Sequence, residues 1–232
     1  EKPMFAELLS PSVKAIFPTE RPFDDYSRQP LLPYQHSLFG PGVAWGDVDG
    51  DGDLDIYQAR PAGESGRVYI SQSPKPFEDH RASEDISPLF FDVDGDGNLD
   101  LYVVSGGVEC EPGDVSLRDR LYLGAGDGTF KNASTGALPD LRDSGSCLAA
   151  ADYDGDGDTD LFIGSRVIPG SYPETPSSRL LRNDSKPGAP KFTDVTAAVF
   201  GIEKVGLVTA ALWADADGDG TDDLVIICEW GR

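Results

Sequence analysis

The sequence predicts an all-β fold: a β-propeller of four-stranded blades with calcium-binding hairpin loops, of which about three and a half blades are present. Three observations predict it. A nine-residue window with Asp at positions 1, 3, 5 and 9 and Gly at positions 4 and 6 occurs four times, at 47–55, 92–100, 152–160 and 215–223. Short β-branched or aromatic runs bounded by Gly and Asp flank the windows, which is a strand signature. The windows start 45, 60 and 63 residues apart, and a period of this size with about four strands per unit points to a propeller.

The window itself reads as a calcium loop. Calcium takes six to eight oxygen ligands in flexible geometry. Carboxylates at alternate positions, with a fourth further on, can surround one ion if the backbone coils tightly, and Gly permits the coil because it reaches positive φ at little cost. The candidate ligands are Asp47, Asp49, Asp51 and Asp55; Asp92, Asp94, Asp96 and Asp100; Asp152, Asp154, Asp156 and Asp160; and Asp215, Asp217, Asp219 and Asp223. Position 7 varies (Asp53, Asn98, Asp158, Thr221), as expected of a residue that offers only its backbone carbonyl. Up to four Ca2+ ions are implied. Without a cation, four neighbouring carboxylates repel one another and raise each other's pKa.

Two other readings of the window compete with this one. An EF-hand opens with a similar pattern but needs Glu at position 12 and flanking helices; position 12 is Gln58, Val103, Ile163 or Ile226. A metal-free acidic turn would use the same residue types, but turn chemistry does not demand the same four Asp four times.

In chain order, residues 1–40 form a Pro-rich lead-in with Pro3, Pro11, Pro18, Pro22, Pro30 and Pro33. That density forbids long helices and central strands, so the segment reads as extended, packed over the first unit and able to add an edge strand. Residues 41–232 form the partial propeller, with units at about 41–82, 86–136, 145–199 and 206–232. The last stops after its second strand. Units two and three carry insertions between their second and third strands, at 105–119 and 165–178. Insertions recurring at one place in a repeat emerge on one face, often the binding face.

Bulk properties narrow the function. The net charge is −22, and four calcium ions would reduce it to −14; a nucleic-acid binder should instead show a basic patch. No apolar run has the length of a membrane helix. No signal peptide is visible, and Glu1-Lys-Pro-Met reads as the start of a mature or trimmed chain. The cysteines, Cys110, Cys147 and Cys228, have no zinc-type spacing. Cys147 and Cys228 lie in apolar runs and read as buried thiols; a Cys110–Cys147 disulfide stays open. Loops without a tight cage fill at extracellular rather than cytosolic calcium levels, which places the protein outside the cytoplasm: extracellular, on the cell surface or periplasmic.

At this point the residues resemble a known family. Gly42-Val-Ala-Trp-Gly-Asp-Val-Asp-Gly-Asp-Gly-Asp-Leu-Asp55, with Arg120-Leu-Tyr-Leu-Gly-Ala-Gly-Asp-Gly-Thr-Phe130, is similar to the FG-GAP/VCBS repeat of integrin-α-like propellers. Ser83-Glu-Asp85, Arg166-Val-Ile-Pro-Gly-Ser-Tyr-Pro173 and Ser178-Arg-Leu-Leu-Arg-Asn183 resemble the bacterial branch related to cartilage acidic protein and the ASPIC/UnbV proteins. The resemblance spans about residues 23–232 and implies a seven-bladed propeller, secreted or on the cell surface, with calcium between the first two strands of a blade. Ligands by resemblance are the four Asp of each loop and the position-7 carbonyl. The chain holds only part of such a ring, so further blades from additional sequence or another chain are expected as partners.

Three functional classes follow. The first is a non-catalytic binding module for protein or glycan. The second is a platform subunit of a larger surface or redox assembly. The third is a calcium-dependent polysaccharide-acting enzyme. Against the third, His36 and His80 sit outside any motif and no metalloprotease, nucleophile-elbow or phosphate-loop pattern occurs. Tyr172, between Pro169 and Pro173, is the expected exposed ligand contact. Trp45, Trp213 and Trp230 read as core. Asn132-Ala-Ser134 and Asn183-Asp-Ser185 fit the glycosylation sequon but also read as turns.

Overall fold

A computed structural model describes residues 21–70, 74, 75, 77, 82–199 and 201–231. The first half of the lead-in and His80 lie outside the described residues. The fold is all-β in its organisation: three four-stranded antiparallel sheets and a final hairpin, each meandering in chain order. The first sheet holds β1 (Val43–Gly46), β2 (Asp55–Gln58), β3 (Arg67–Tyr69) and β4 (Pro74–Lys75). The second holds β5 (Glu84–Phe91), β6 (Asp100–Gly106), β7 (Arg120–Gly124) and β8 (Phe130–Asn132). The third holds β9 (Ser144–Ala151), β10 (Asp160–Val167), β11 (Arg179–Asn183) and β12 (Phe192–Asp194). The hairpin is β13 (Gly206–Ala214) with β14 (Asp223–Gly231). Pro74 sits in an edge strand, where the missing N–H costs no ladder bond.

Each Asp window is the connection between the first two strands of its sheet. The closing pairs are Gly46 with Asp55, Phe91 with Asp100, Ala151 with Asp160, and Ala214 with Asp223. Strands, not helices, flank every loop, which removes the EF-hand reading.

The core lies between sheets. Ala44, Tyr57 and Val68 of the first sheet pack on Phe90, Leu101, Val103 and Tyr122 of the second. Tyr102, Val104 and Leu121 meet Leu161, Ile163 and Leu181 of the third. Phe162 and Leu180 meet Val208, Trp213 and Ile226 of the hairpin. The sheets therefore stack face to face in sequence order. That position explains the strand patterns. The β6 side chains are all buried, because a sheet covers both faces, so Leu-Tyr-Val-Val reads as a continuous apolar run. β1 alternates exposed and buried, because only one of its faces meets a neighbour. Each fully buried Leu here contributes about 1.5–3 kcal/mol.

The tryptophans depart from expectation. Only Trp213 packs into a cluster. Trp45 is 61% exposed, and Trp230 is 62% exposed. Trp45 shares with Val43 the face of β1 turned away from the second sheet. Alternation told which side of the strand it occupies, not whether a layer covers that side.

The lead-in also departs. Its described part, 21–40, adds no strand. Asp24 caps a one-turn helix, α1 (Asp25–Arg28), by accepting from the Tyr26 and Ser27 amides. The buried Asp25 carboxylate then accepts from the His36 and Ser37 amides, both at 3.1 Å, folding the segment back on itself. It lies across the insertions of the second and third sheets: Arg28 donates to Cys110 O at 3.0 Å and pairs with Glu111, and Gln29 accepts from the Tyr172 amide at 2.9 Å. All three cysteines are free and half-buried.

Candidate metal centres

The four loops share one backbone path. The position 4 and 6 glycines all have positive φ, from +74° at Gly50 to +96° at Gly157. A Cβ at these positions would meet nothing within 4 Å. Glycine is there for its backbone conformation, not for space.

The position 1 carboxylate organises the coil. Asp47 accepts from the Gly50 amide at 2.8 Å and the Gly52 amide at 3.0 Å. Asp92, Asp152 and Asp215 repeat both bonds. The position 5 carboxylates, Asp51, Asp96, Asp156 and Asp219, accept from the amides of Asp53, Asn98, Asp158 and Thr221 at position 7.

Carboxylate oxygens converge in every loop. Those of Asp47, Asp49 and Asp55 lie within 4.8 Å of one another, as do those of Asp152, Asp154 and Asp160, and of Asp215, Asp217 and Asp223. In the second loop the convergent set is Asp92, Asp94 and Asp96. Two oxygens bound to one calcium at ~2.6 Å can be at most ~5.2 Å apart, so these sets fit the ion. One Asp94 oxygen accepts from the Gly188 amide at 2.7 Å. The other is buried with no hydrogen-bond partner, which suits a cation. Electrostatics agree: desolvation, then Asp51 and Asp55, push the Asp49 carboxyl up. Burial pushes Asp100 up to about 6 against hydrogen bonds from the Gly124 and Val93 amides. A calcium ion would supply the positive charge that offsets these costs.

Position 9 does more than the sequence suggested. Its carboxylate accepts from the position 2 amide in every loop: Val48 and Val93 at 2.9 Å, Tyr153 at 3.0 Å and Ala216 at 3.1 Å. In the second and third sheets the other oxygen accepts from the third strand, at Gly124 (2.8 Å) and Asn183 (2.7 Å). Asp55, Asp100 and Asp160 are buried as a result. Each is a pin between loop and sheet, and its second lone pair can still meet a metal.

The loops also join neighbouring sheets. Val48 O accepts from the Gly128 amide at 3.0 Å, and Val93 O from Asn183 Nδ2 at 2.9 Å. Nothing in the local motif announces these bonds; only the buried position 2 side chains, Val48 and Val93, leave a trace in the sequence. Asn183 is buried and used here, so the second sequon is a structural turn. Tyr172 is half-buried rather than exposed, with its ring edge-on to His36 at 5.7 Å. Among the described residues, no cluster of metal-ligating side chains forms outside the four loops.

Among the described residues, no helix is long and apolar enough to cross a membrane. Comparison with curated proteins finds no match. Against models of known families, residues 39–71 match the FG-GAP repeat and residues 92–163 match the FG-GAP-like repeat. The first match contains the first Asp loop, and the second contains the next two. Over these residues the chain is similar to FG-GAP repeats.

Proposed function

We propose that this chain is the calcium-stabilised part of an extracellular β-propeller that binds protein or glycan without catalysis. The observation that carries the reading is the convergence of carboxylates in four equivalent hairpins at one end of stacked sheets. Calcium held by positions 1, 3, 5 and 9 and the position 7 carbonyl would tie the first two strands of each blade. The insertions emerge at the other ends of those strands and supply the recognition surface. A loop that fills the coordination shell with protein oxygens leaves little room for substrate, which separates this reading from a polysaccharide-acting enzyme. Filling from millimolar calcium fits a location outside the cytoplasm.

Three full sheets and a hairpin correspond to about three and a half blades, and the assignment to the branch related to cartilage acidic protein and ASPIC/UnbV rests on sequence motifs such as Ser83-Glu-Asp85. Val43, Trp45 and Leu54 at one end, and Leu212 and Ile227 at the other, present exposed apolar side chains that further blades would cover. The same faces favour a second reading, a platform within a larger assembly. The test is calorimetric titration with calcium and melting with and without chelator. The expected result is up to four ions bound and a melting temperature raised by several degrees, because binding to the folded state alone stabilises it. Absence of both heat and thermal shift at millimolar calcium overturns the reading.

A further inference from the structure

At the end of the stack opposite the Asp loops lies a cavity of about 320 Å³. Its walls come from the lead-in (His36, Leu38, Phe39), the opening residues of β9 (Ser144, Ser146) and β13 (Thr209), and Arg166 of β10. Its size falls at the small end of small-molecule sites, which run ~300–1,000 Å³.

The hydrogen-bonding character of the lining is specific. Ser144 Oγ donates to Gly107 O at 2.8 Å, Ser146 Oγ to Val208 O at 2.7 Å, and Thr209 Oγ1 to Ile227 O at 3.1 Å. Each hydroxyl has one hydrogen and has used it, so each offers only acceptor lone pairs. His36 is 3% exposed, and neither ring nitrogen has a hydrogen-bond partner. Leaving such a group unmet costs about 1–3 kcal/mol. Burial, then the Arg166 charge, lowers the His36 pKa, so the ring is neutral and offers one donor and one acceptor. Arg166 is paired with Glu229 at 2.7 Å and stacks over Phe39 at 4.3 Å, so the mouth carries no net charge. Leu38 is 59% exposed beside it.

A lining of acceptors, one neutral imidazole and an apolar rim selects against most ligand classes. An anion would face lone pairs and a chain of charge −22. A cation would find no carboxylate in the lining, and Glu229 beside it is already held by Arg166. A wholly apolar molecule would leave His36 unmet. We infer that the cavity binds the ring of a neutral sugar, its hydroxyls donating to Ser144, Ser146, Thr209 and His36 and its C–H face resting on Leu38 and Phe39. This deepens the binding-module reading and rests on it.

The test is amide NMR of the chain titrated with glucose, galactose, mannose, N-acetylglucosamine and glucuronate, each with and without calcium. The expected result is a millimolar affinity for at least one neutral sugar, with shifts centred on Gly107, Ser146 and Thr209 and weaker binding of glucuronate. Thr209→Val removes an acceptor without emptying the wall and should weaken binding about five-fold, with the calcium titration unchanged. His36→Phe should abolish binding; if it fails to fold, Thr209→Val decides. Overturning results are no shift at these amides with any neutral sugar, shifts centred elsewhere, or equal affinity in Thr209→Val. A chain that takes up calcium but shows any of these loses the sugar site and keeps the module reading; a chain that takes up none loses the latter.

Discussion

Asp119 is a half-buried carboxyl whose pKa is held well above its solution value. It closes the insertion of the second sheet, accepting from Tyr102 Oη at 2.9 Å and from the Ser105 amide at 2.8 Å. Burial pushes its pKa up to about 7, against those hydrogen bonds and the nearby Arg120. In the unfolded chain it titrates near ~3.9. The folded state therefore holds this proton more tightly, and between those values it carries more protons than the unfolded state. Stability falls as pH rises through that window, and the loss is complete above about 7. Asp119→Asn keeps the shape and removes the titration. Measured in excess calcium, the melting temperature of the parent minus that of the variant should decrease steadily from pH 4 towards pH 7. Parallel curves would show that the carboxyl is unperturbed.

Between elements, a buried ion pair joins Arg120, at the start of β7, to Asp85 in β5. Asp85 also accepts from Tyr57 Oη at 2.8 Å and from the Arg60 amide at 3.3 Å, so it ties the first sheet to the second. The third sheet has a looser counterpart: Arg179, at the start of β11, meets Asp143 at 2.7 Å. Removing one partner of a buried pair leaves a charge without compensation. Arg120→Ala should cost about 3–5 kcal/mol in a denaturant titration, and the double variant Arg120→Met with Asp85→Asn, which keeps an acceptor for Tyr57 Oη and the Arg60 amide, should recover much of it. A loss under 1 kcal/mol for the single change would contradict this role. The strands and loops could be read in advance because their cause is local: a metal-shaped spacing of Asp and Gly, and runs whose residue types suit a pleated surface. The Asp85–Arg120 pair could not, since its members stand 35 residues apart and either would pass for a surface charge. Nor could the lead-in, whose partners Cys110 and Tyr172 are distant in sequence and whose prolines carry no periodicity.

Across the whole molecule, repulsion between like charges adds to the chain-entropy cost that opposes the fold. The chain has 41 acidic side chains against 19 Lys and Arg, and nineteen of the acids stand in the four loops at one end of the stack. Such self-repulsion opposes compaction, and two countermeasures act on it differently. Calcium neutralises the loops by binding between their oxygens, bringing the net charge from −22 to −14 if all four sites fill. Simple salt only screens, with a Debye length falling from ~30 Å at 0.01 M to ~10 Å at 0.1 M, so it weakens repulsion between loops more than within one. In chelator, raising potassium chloride over that range should therefore increase the melting temperature. With calcium saturating, the same change should produce a smaller increase, because much of the repulsion has been removed at its source. A salt response of equal size in both states would mean that the loops are not where the destabilising charge resides, and a response of opposite sign would mean that attractive pairs such as Arg166–Glu229 outweigh it.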